Sequence, residues 1–255
     1  MAAQAVERQN VVYKVDIKDE IGPEVWRLVR KSFDRAEEEN AKYILIHMNT
    51  YGGMVVYADS LRSLILNSKK PVWVFIDNNA ASAGALIAIA CDRIYMREGA
   101  NIGAATVVNQ SGKAMPDKYQ SYMRSMIRAT AQAQGRDTIV RGRDTVYRWK
   151  RDPHIAEAMV DESIYIKEVS DSGKIVTFTP AEAMQHGFCD GIAGSVEDVL
   201  AREQVSDYVI ESYTPSAMDR VIGFLINPIV QGLLIMLIVG GIYFELQTPG
   251  IGFPL

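Results

Sequence analysis

Several residue types that would each announce a chemistry are scarce in this 255-residue sequence. There are two cysteines, Cys91 and Cys189, too few for a disulfide framework. Cys91 ends the small apolar stretch LIAIAC and Cys189 sits between Phe188 and Asp190, settings that read as buried core thiols. Basic residues are not in excess: 27 Lys and Arg face 31 Asp and Glu, a net charge of -4. Nucleic-acid binders carry a positive surplus to meet phosphates, so no nucleic-acid partner is expected. Histidine occurs three times, at His47, His154 and His186, which limits histidine-based catalysis. No metal site or cofactor is expected. There is no internal repeat and no low-complexity tract. What remains, 48% hydrophobic and 23% charged, is ordinary for a globular protein with a core.

Charge is missing altogether from Val221 to Phe244, which reads VIGFLINPIVQGLLIMLIVGGIYF. About 20 apolar residues suffice to cross a bilayer core, so the run is expected to be a transmembrane helix. Pro228 and the glycines, costly in a soluble helix, are tolerated in lipid. The expected layout is a signal-peptide remnant or added leader over 1–10, a folded domain over 11–213 and a linker over 214–220. A transmembrane helix over 221–246 and the start of a truncated membrane region over 247–255 complete it. The leader reading rests on Ala2-Ala3-Gln4-Ala5, which is like the small-residue end of a cleaved signal. It would put the domain on the extracytoplasmic side of the cell membrane.

Along the domain, VVYKVDI at 11–17 alternates as a strand, and Gly22-Pro23 opens a helix with Val25, Leu28, Val29 and Phe33 on one face. YILIHM at 43–48 is a short, mostly apolar strand of the kind buried on both faces of a parallel sheet. A turn at 49–53 leads into a helix over 55–67, a strand from Pro71, a turn at 78–81 and a helix from Ser82 to Ala90. Further on come a strand at 93–96 and an amphipathic helix over 117–134. The segment Arg136–Arg151 is basic and reads as a solvated loop. A strand near 164–169 is expected to turn at 171–174 into a second at 175–178. Thr179-Pro180 with Glu182, and Ser195, are expected helix starts. Strands alternating with helices imply a mainly parallel α/β core.

In such sheets ligands gather beyond the carboxyl ends of the strands, and two of those ends carry unusual residues. At 49–53 the paired Gly52 and Gly53 let backbone N–H groups approach a ligand. At 80–85 Ser82 stands among residues too small to shield it, at a helix N-terminus whose partial charge favours an oxyanion. The same position also suits a plain helix cap. A nucleophilic serine needs a base. None of the three histidines has a suitable context, whereas a buried, neutral lysine can serve. Lys118, Lys113 and Lys14 are candidates, and spacing does not choose among them.

The pairing of NTYGGM at 49–54 with AASAGALIAIACDRIYM at 80–96 resembles the Clp/crotonase superfamily of peptidases. The sequence is most similar to the membrane-bound NfeD family of Clp-class serine peptidases, whose members show NTPGG, ASAG, an IGA segment, and a lysine opening a helix that ends in AQ-x-x-GR. Here stand Ile102-Gly103-Ala104, Pro116-Asp117-Lys118 and Ala131-Gln132-Ala133-Gln134-Gly135-Arg136, followed by TPAEAMQHGFCDGIAGSVEDVL at 179–200 and the apolar run. The resemblance implies an α/β Clp/crotonase-type fold with repeated ββα units, a transmembrane helix after it, and a serine peptidase using a Ser-Lys dyad. It implies Ser82 as nucleophile, Lys118 as general base, Gly53 and Ala83 as oxyanion-hole donors, and Tyr51, Gly52 and Gly53 against the substrate strand. It also implies apolar protein or peptide substrates, a stomatin-like (band-7) membrane partner and a homo-oligomer, dimeric or larger. Soluble Clp peptidases carry a histidine where Gly103 stands, so a triad is not expected. Tyr51 replaces the family's proline, Asn78-Asn79 precede the serine turn atypically, and Arg136–Arg151 looks like an insertion forming a flap or docking surface. Rival readings are a non-catalytic scaffold for stomatin-like proteins and a crotonase-like acyl-CoA enzyme.

Overall fold

A computed structural model of the chain describes residues 9–141, 144–170 and 173–247. The chain divides into two compact units, Met1–Tyr213 and Thr214–Leu255. The first unit opens with β1 (Asn10–Ile17), α1 (Pro23–Glu38), β2 (Tyr43–Thr50), α2 (Val55–Leu66), β3 (Val72–Ala81), α3 (Ala83–Ala90) and β4 (Arg93–Met96). Then follow β5 (Asn101–Gly103), α4 (Asp117–Ala133), β6 (Arg136–Arg141), β7 (Asp144–Trp149) and α5 (Pro153–Ala158). It ends with β8 (Thr177–Phe178), α6 (Pro180–Gln185), β9 (Gly191–Ile192), α7 (Val196–Arg202) and β10 (Tyr208–Ser212). The main sheet runs β10-β1-β2-β3-β4-β9, all neighbours parallel; β5 adds to β3 beyond the end of β4, and β8 pairs antiparallel with β5.

Alternation along each strand sends successive side chains to opposite faces. Ile44, Ile46 and Met48 of β2, with Val72, Val74 and Ile76 of β3, meet one layer of helices. That layer offers Val25, Val29 and Phe33 of α1, Ala58, Leu61 and Ile65 of α2, and Met123, Met126 and Ile127 of α4. Val12, Leu45, Trp73, Phe75 and Tyr95 face the other way, against Val196, Val199 and Leu200 of α7. Burial on both sides is why β2 and β3 read as nearly unbroken apolar runs. All eight residues of α3 are buried, as an AGALIAIA helix without a polar face requires. Thr179 donates its N–H and hydroxyl to Glu182 at 2.8 Å each, and the Ser195 hydroxyl accepts from Asp198 N–H, so α6 and α7 begin at the expected caps.

Two expectations for the first unit do not hold. The basic segment 136–151 is an antiparallel hairpin of β6 and β7, not a loop. Its arginines mask the alternation of RDTIVR and DTVYRW, and Arg151 at its foot is fully buried beside Asp190 at 3.5 Å. The expected hairpin from 164–169 into 175–178 is absent. Residues 164–170 form turns closed by one bridge, Ile166 to Ser170, and Thr177–Phe178 pairs with β5 instead. There Phe178 is buried against Phe188 and His186, which removes its ring from water. The turn expected at 171–174 lies partly outside the described residues, as do most of the leader and the end of the chain.

In the second unit the apolar run is not the single helix expected over 221–246 but two, α8 (Ala217–Ile226), which begins within the expected linker 214–220, and α9 (Pro228–Gln247). Pro228 lacks an N–H and pushes Asn227 out of helical geometry, to ψ 126°. The Asn227 side chain then accepts from Ile229 N–H at 3.0 Å, restarting the helix. The helix Ile229–Gln247 is long and apolar enough to cross a membrane, and none of it is buried by protein.

Candidate active site

The carboxyl ends of β2 and β3 lie side by side, with Thr50 opposite Ala80 after a register shift between Met48 and Thr50. The Asn49 side-chain oxygen, Oδ1, accepts from the Asn79 backbone N–H at 3.2 Å and from the Asn79 side-chain amide at 3.3 Å, tying the strands together at the shift. The chain leaves β2 through Tyr51-Gly52-Gly53-Met54 and leaves β3 through Ser82.

Ser82 is held at φ 54°, ψ -117°, in a region that residues with a Cβ rarely occupy. Its N–H donates to the Gly103 carbonyl at 2.9 Å, and its carbonyl accepts from Ala85 N–H at 3.0 Å, which starts α3. The Ser82 hydroxyl makes no hydrogen bond among the described residues, so it does not act as a helix cap. A Cβ on Gly52 would stand 2.6 Å from the Ser82 Cβ and 3.0 Å from its Oγ. Glycine at 52 is therefore what gives the serine its space.

Gly53 is required for a different reason. It forms a bridge with the buried Ile21, and a Cβ there would lie 2.3 Å from the Ile21 carbonyl oxygen. The bridge uses the Gly52 carbonyl, accepting from Ile21 N–H, and the Met54 N–H, donating to the Ile21 carbonyl, each at 2.8 Å. In such a bridge the middle residue turns its own N–H to the opposite side of the chain. Ala83, the first residue of α3, likewise has an N–H with no acceptor in its helix. Gly53 and Ala83 thus each offer a backbone donor at the two turns that meet at Ser82.

Thr50 joins these parts, a role not read from the sequence although it lies inside the NTYGG motif. Its hydroxyl donates to the Asp19 carbonyl at 2.8 Å and accepts from Gly52 N–H at 3.2 Å, while its methyl lies where a Cβ on Gly84 would be 2.8 Å away. It couples the β1–α1 connection, the glycine turn and α3. Thr50→Val keeps the methyl and removes both bonds. It should cost about 1–3 kcal/mol in urea unfolding, the range for buried polar groups left unpaired; an unchanged midpoint would show that the hydroxyl is not holding the turn.

Lys118 lies in the first turn of α4, exposed, with its ammonium 4.8 Å from the centre of the Tyr119 ring. No hydrogen bond joins it to Ser82 among the described residues, and the burial that the sequence reading asks of such a lysine is not found. Gln120 fastens this end of α4 to the preceding loop: its side-chain oxygen accepts from Val107 N–H at 3.0 Å and its amide donates to the Val107 carbonyl at 2.7 Å. Arg124 clasps Asp117 at 2.9 Å and Asp161 at 2.7 Å. Hydrogen bonds from Ser163, then Arg124, hold the Asp161 carboxyl below the usual carboxylate range.

The other candidates are engaged elsewhere. Lys14 pairs with Asp16 at 3.1 Å, and Lys113 is exposed in the loop before α4. His47 lies between Asp16 at 3.3 Å and Asp77 at 3.1 Å on the α7 side of the sheet. His154 is exposed behind Asp152, and His186 stacks on Phe178. None of the three hydrogen-bonds Ser82. No cluster of metal ligands occurs among the described residues.

With Ser82, the double glycine and α3 brought together, comparison with known proteins becomes informative. The family described as NfeD1b, N-terminal domain, matches residues 11–142, just over half of the chain. The chain belongs to the NfeD1b N-terminal domain family. It is 28% identical over 247 residues to membrane protein NfeD1b of Bacillus subtilis (strain 168), covering 96% of this chain and 53% of that protein. It is 26% identical over 272 aligned positions to membrane-bound protease PH1510 of Pyrococcus horikoshii, covering 97% of this chain and 56% of that protein. The chain thus spans about half the length of the curated relatives it matches. Among solved structures, a lysine-to-alanine variant of the 1510-N membrane-bound stomatin-specific protease, bound to a substrate peptide, superposes with a TM-score of 0.67 at 23% identity, over 85% of this chain and 98% of that one. ClpP1 from Listeria monocytogenes superposes with a TM-score of 0.50 at 18% identity, over 72% of this chain and 92% of that one. The NfeD-family unit has the Clp-type α/β fold. Its relatives named as membrane proteins, together with α9, support a membrane location.

Proposed function

We propose that the chain is a membrane-anchored serine endopeptidase in which Ser82 is the nucleophile and Lys118 the general base. The observation that carries the reading is Ser82 itself: a non-glycine residue in a strained conformation, its hydroxyl unused, beside two turns with backbone donors. Strain of this kind persists where surrounding structure enforces it, and it gathers at functional sites. The relatives add weight, one named a membrane-bound protease, with solved 1510-N variants lacking a lysine or a serine side chain.

In this mechanism the Lys118 amine takes the hydroxyl proton as Ser82 Oγ bonds to the scissile carbonyl carbon. The carbonyl π electrons move onto oxygen, and that oxyanion rests on the Gly53 and Ala83 N–H groups. Collapse breaks the C–N bond, and Lys118 passes the proton to the departing amine. Water, deprotonated by Lys118, then releases the acyl group. Because Lys118 is solvent-exposed here, its approach to Ser82 belongs to the substrate-bound arrangement, where catalytic contacts tighten.

An extended substrate strand running past Tyr51 and the glycines would meet apolar side chains: Tyr51 is 81% exposed and Met54 51% exposed. Apolar segments of stomatin-like membrane proteins, presented on the extracytoplasmic side, are the proposed substrates, and the enzyme is proposed to act as an oligomer. The exposed Lys118 is also what a non-catalytic scaffold for such partners would show.

The test uses the purified full chain in detergent with apolar-rich peptides. Wild type should cleave them, while Lys118→Ala and Lys118→Arg should both be inactive, since a guanidinium keeps charge but cannot accept the proton. Activity retained by Lys118→Arg would remove the lysine from the base role. No turnover in wild type, with Ser82 unreactive to a fluorophosphonate probe, would leave the scaffold.

A further inference from the structure

The helix α8 has its own beginning and its own end. At its start the Ser216 N–H donates to Asp219 Oδ2 at 3.0 Å, and the Asp219 N–H donates to the Ser216 hydroxyl at 3.2 Å, a reciprocal cap. At its end Asn227 leaves helical geometry, and its side chain restarts the chain as α9. Between these points lie ten residues, AMDRVIGFLI. Helices this short are marginal in water and are held by packing of an apolar face. No residue of α8, however, is buried.

Such a face is present. Met218, Val221, Ile222 and Leu225 recur at the i, i+3, i+4, i+7 spacing that gathers side chains on one side of a helix, and Phe224 adjoins Val221 at its margin. Asp219, Arg220 and Gly223 fall on the opposite side. Met218 is 66% exposed and Phe224 63%, with Val221 and Leu225 exposed as well.

What covers this face follows from its place in the chain. A single residue, Asn227, separates α8 from α9. The 20 residues of α9 rise about 30 Å, the thickness of a hydrocarbon core, so α9 crosses a bilayer without help from α8. Ten more helical residues add about 15 Å. Set in line with α9, they would carry Met218 and Val221 through the headgroups into water, or draw Asp219 and Arg220 into hydrocarbon, where charge is costly. Turned along the surface, α8 keeps its apolar side chains at the boundary that α9 enters and both charges toward water. The break in the helix at Asn227 permits that change of direction. We propose that α8 lies along the membrane surface as an amphipathic anchor, with the Met218, Val221 and Leu225 face in the lipid. The proposal rests on the membrane location of α9 and not on the peptidase reading.

The full chain in phosphatidylcholine vesicles tests it. Met218→Cys, Val221→Cys and Leu225→Cys report on the apolar side, Arg220→Cys and Gly223→Cys on the polar side. Cys91 and Cys189 are buried, which leaves labelling to the introduced site. Each variant is spin-labelled, and its contact with oxygen, which concentrates in lipid, is compared with its contact with a water-soluble nickel chelate. The first three should favour oxygen and sit about 5–10 Å below the headgroup boundary, while the other two favour nickel. Leu233→Cys and Leu237→Cys in α9 should favour oxygen strongly. An oxygen preference that grows steadily from 218 to 225, including 220 and 223, would make α8 part of the span and overturn the proposal. So would nickel access at all five positions, a helix in water, or shielding of the apolar positions from both reagents, a helix covered by protein. Nickel access at 233 and 237 would bring down the membrane reading itself and the proposal with it, a failure distinct from the other three.

Discussion

Ser82→Gly is expected to hydrolyse no peptide and yet to melt above the wild type. At φ 54°, ψ -117° a Cβ is strained, and glycine relieves it. Such strain is worth on the order of 1–3 kcal/mol, and part of the gain is offset by the greater freedom of glycine in the unfolded chain. A net 1 kcal/mol in a domain of this size raises Tm by about 2–4 °C. Ser82→Ala keeps the Cβ and should leave Tm near the wild-type value. Both variants lack the proposed nucleophile, and loss of a catalytic serine that acts as part of a unit lowers kcat by on the order of a million-fold. The comparison separates two roles for the serine. A Gly variant that melts lower than wild type would mean that the side chain is there for packing against Gly52, and that no strain is stored for function.

Gly103→His, which places a histidine where the resemblance to soluble Clp peptidases would put one, should wreck the fold locally and create no triad. Gly103 sits at φ 139°, and a Cβ there would lie 2.5 Å from the Val176 carbonyl oxygen and 2.8 Å from Thr177 Cα. Both are backbone atoms held in place, Thr177 by its pairing with β5 and the Val176 carbonyl by the Ala104 N–H at 3.1 Å, so neither can swing aside. The Gly103 carbonyl also accepts the Ser82 N–H, so displacing β5 shifts the serine turn. Overpacking against fixed backbone in a strained conformation should cost about 3 kcal/mol or more by urea unfolding. Gly103→Ala should lose nearly as much, because the first carbon already collides. If the histidine variant unfolds at the wild-type urea concentration, the exclusion of a triad here is an accident of sequence and not of packing.

Much of this molecule was legible before its structure. The parallel core followed from apolar strands alternating with helices, because burial on both faces removes polar residues from β2 and β3 alike. The serine turn and the double glycine stood out because a serine stands among residues too small to shield it and two glycines fall where a strand ends. The segment 136–151 misled because its charge density spoke louder than its two-residue alternation. Residues 175–178 misled because nothing local says that β8 will find β5.

Order and composition by themselves determined that a parallel α/β domain would precede a membrane-compatible helix, and that Ser82 and the glycines would lie at strand ends. These depend on periodicity and on the length of uncharged runs, which are local properties of the chain. Only the tertiary structure decided why each glycine is needed, Gly52 for Ser82 and Gly53 for Ile21, and that Thr50 ties the two turns together. It also decided that Lys118 stands in the open and that β6 and β7 pair with each other. Those outcomes depend on which segments approach one another within a few ångströms, a distance set by packing across the whole domain and carried by no stretch of sequence alone.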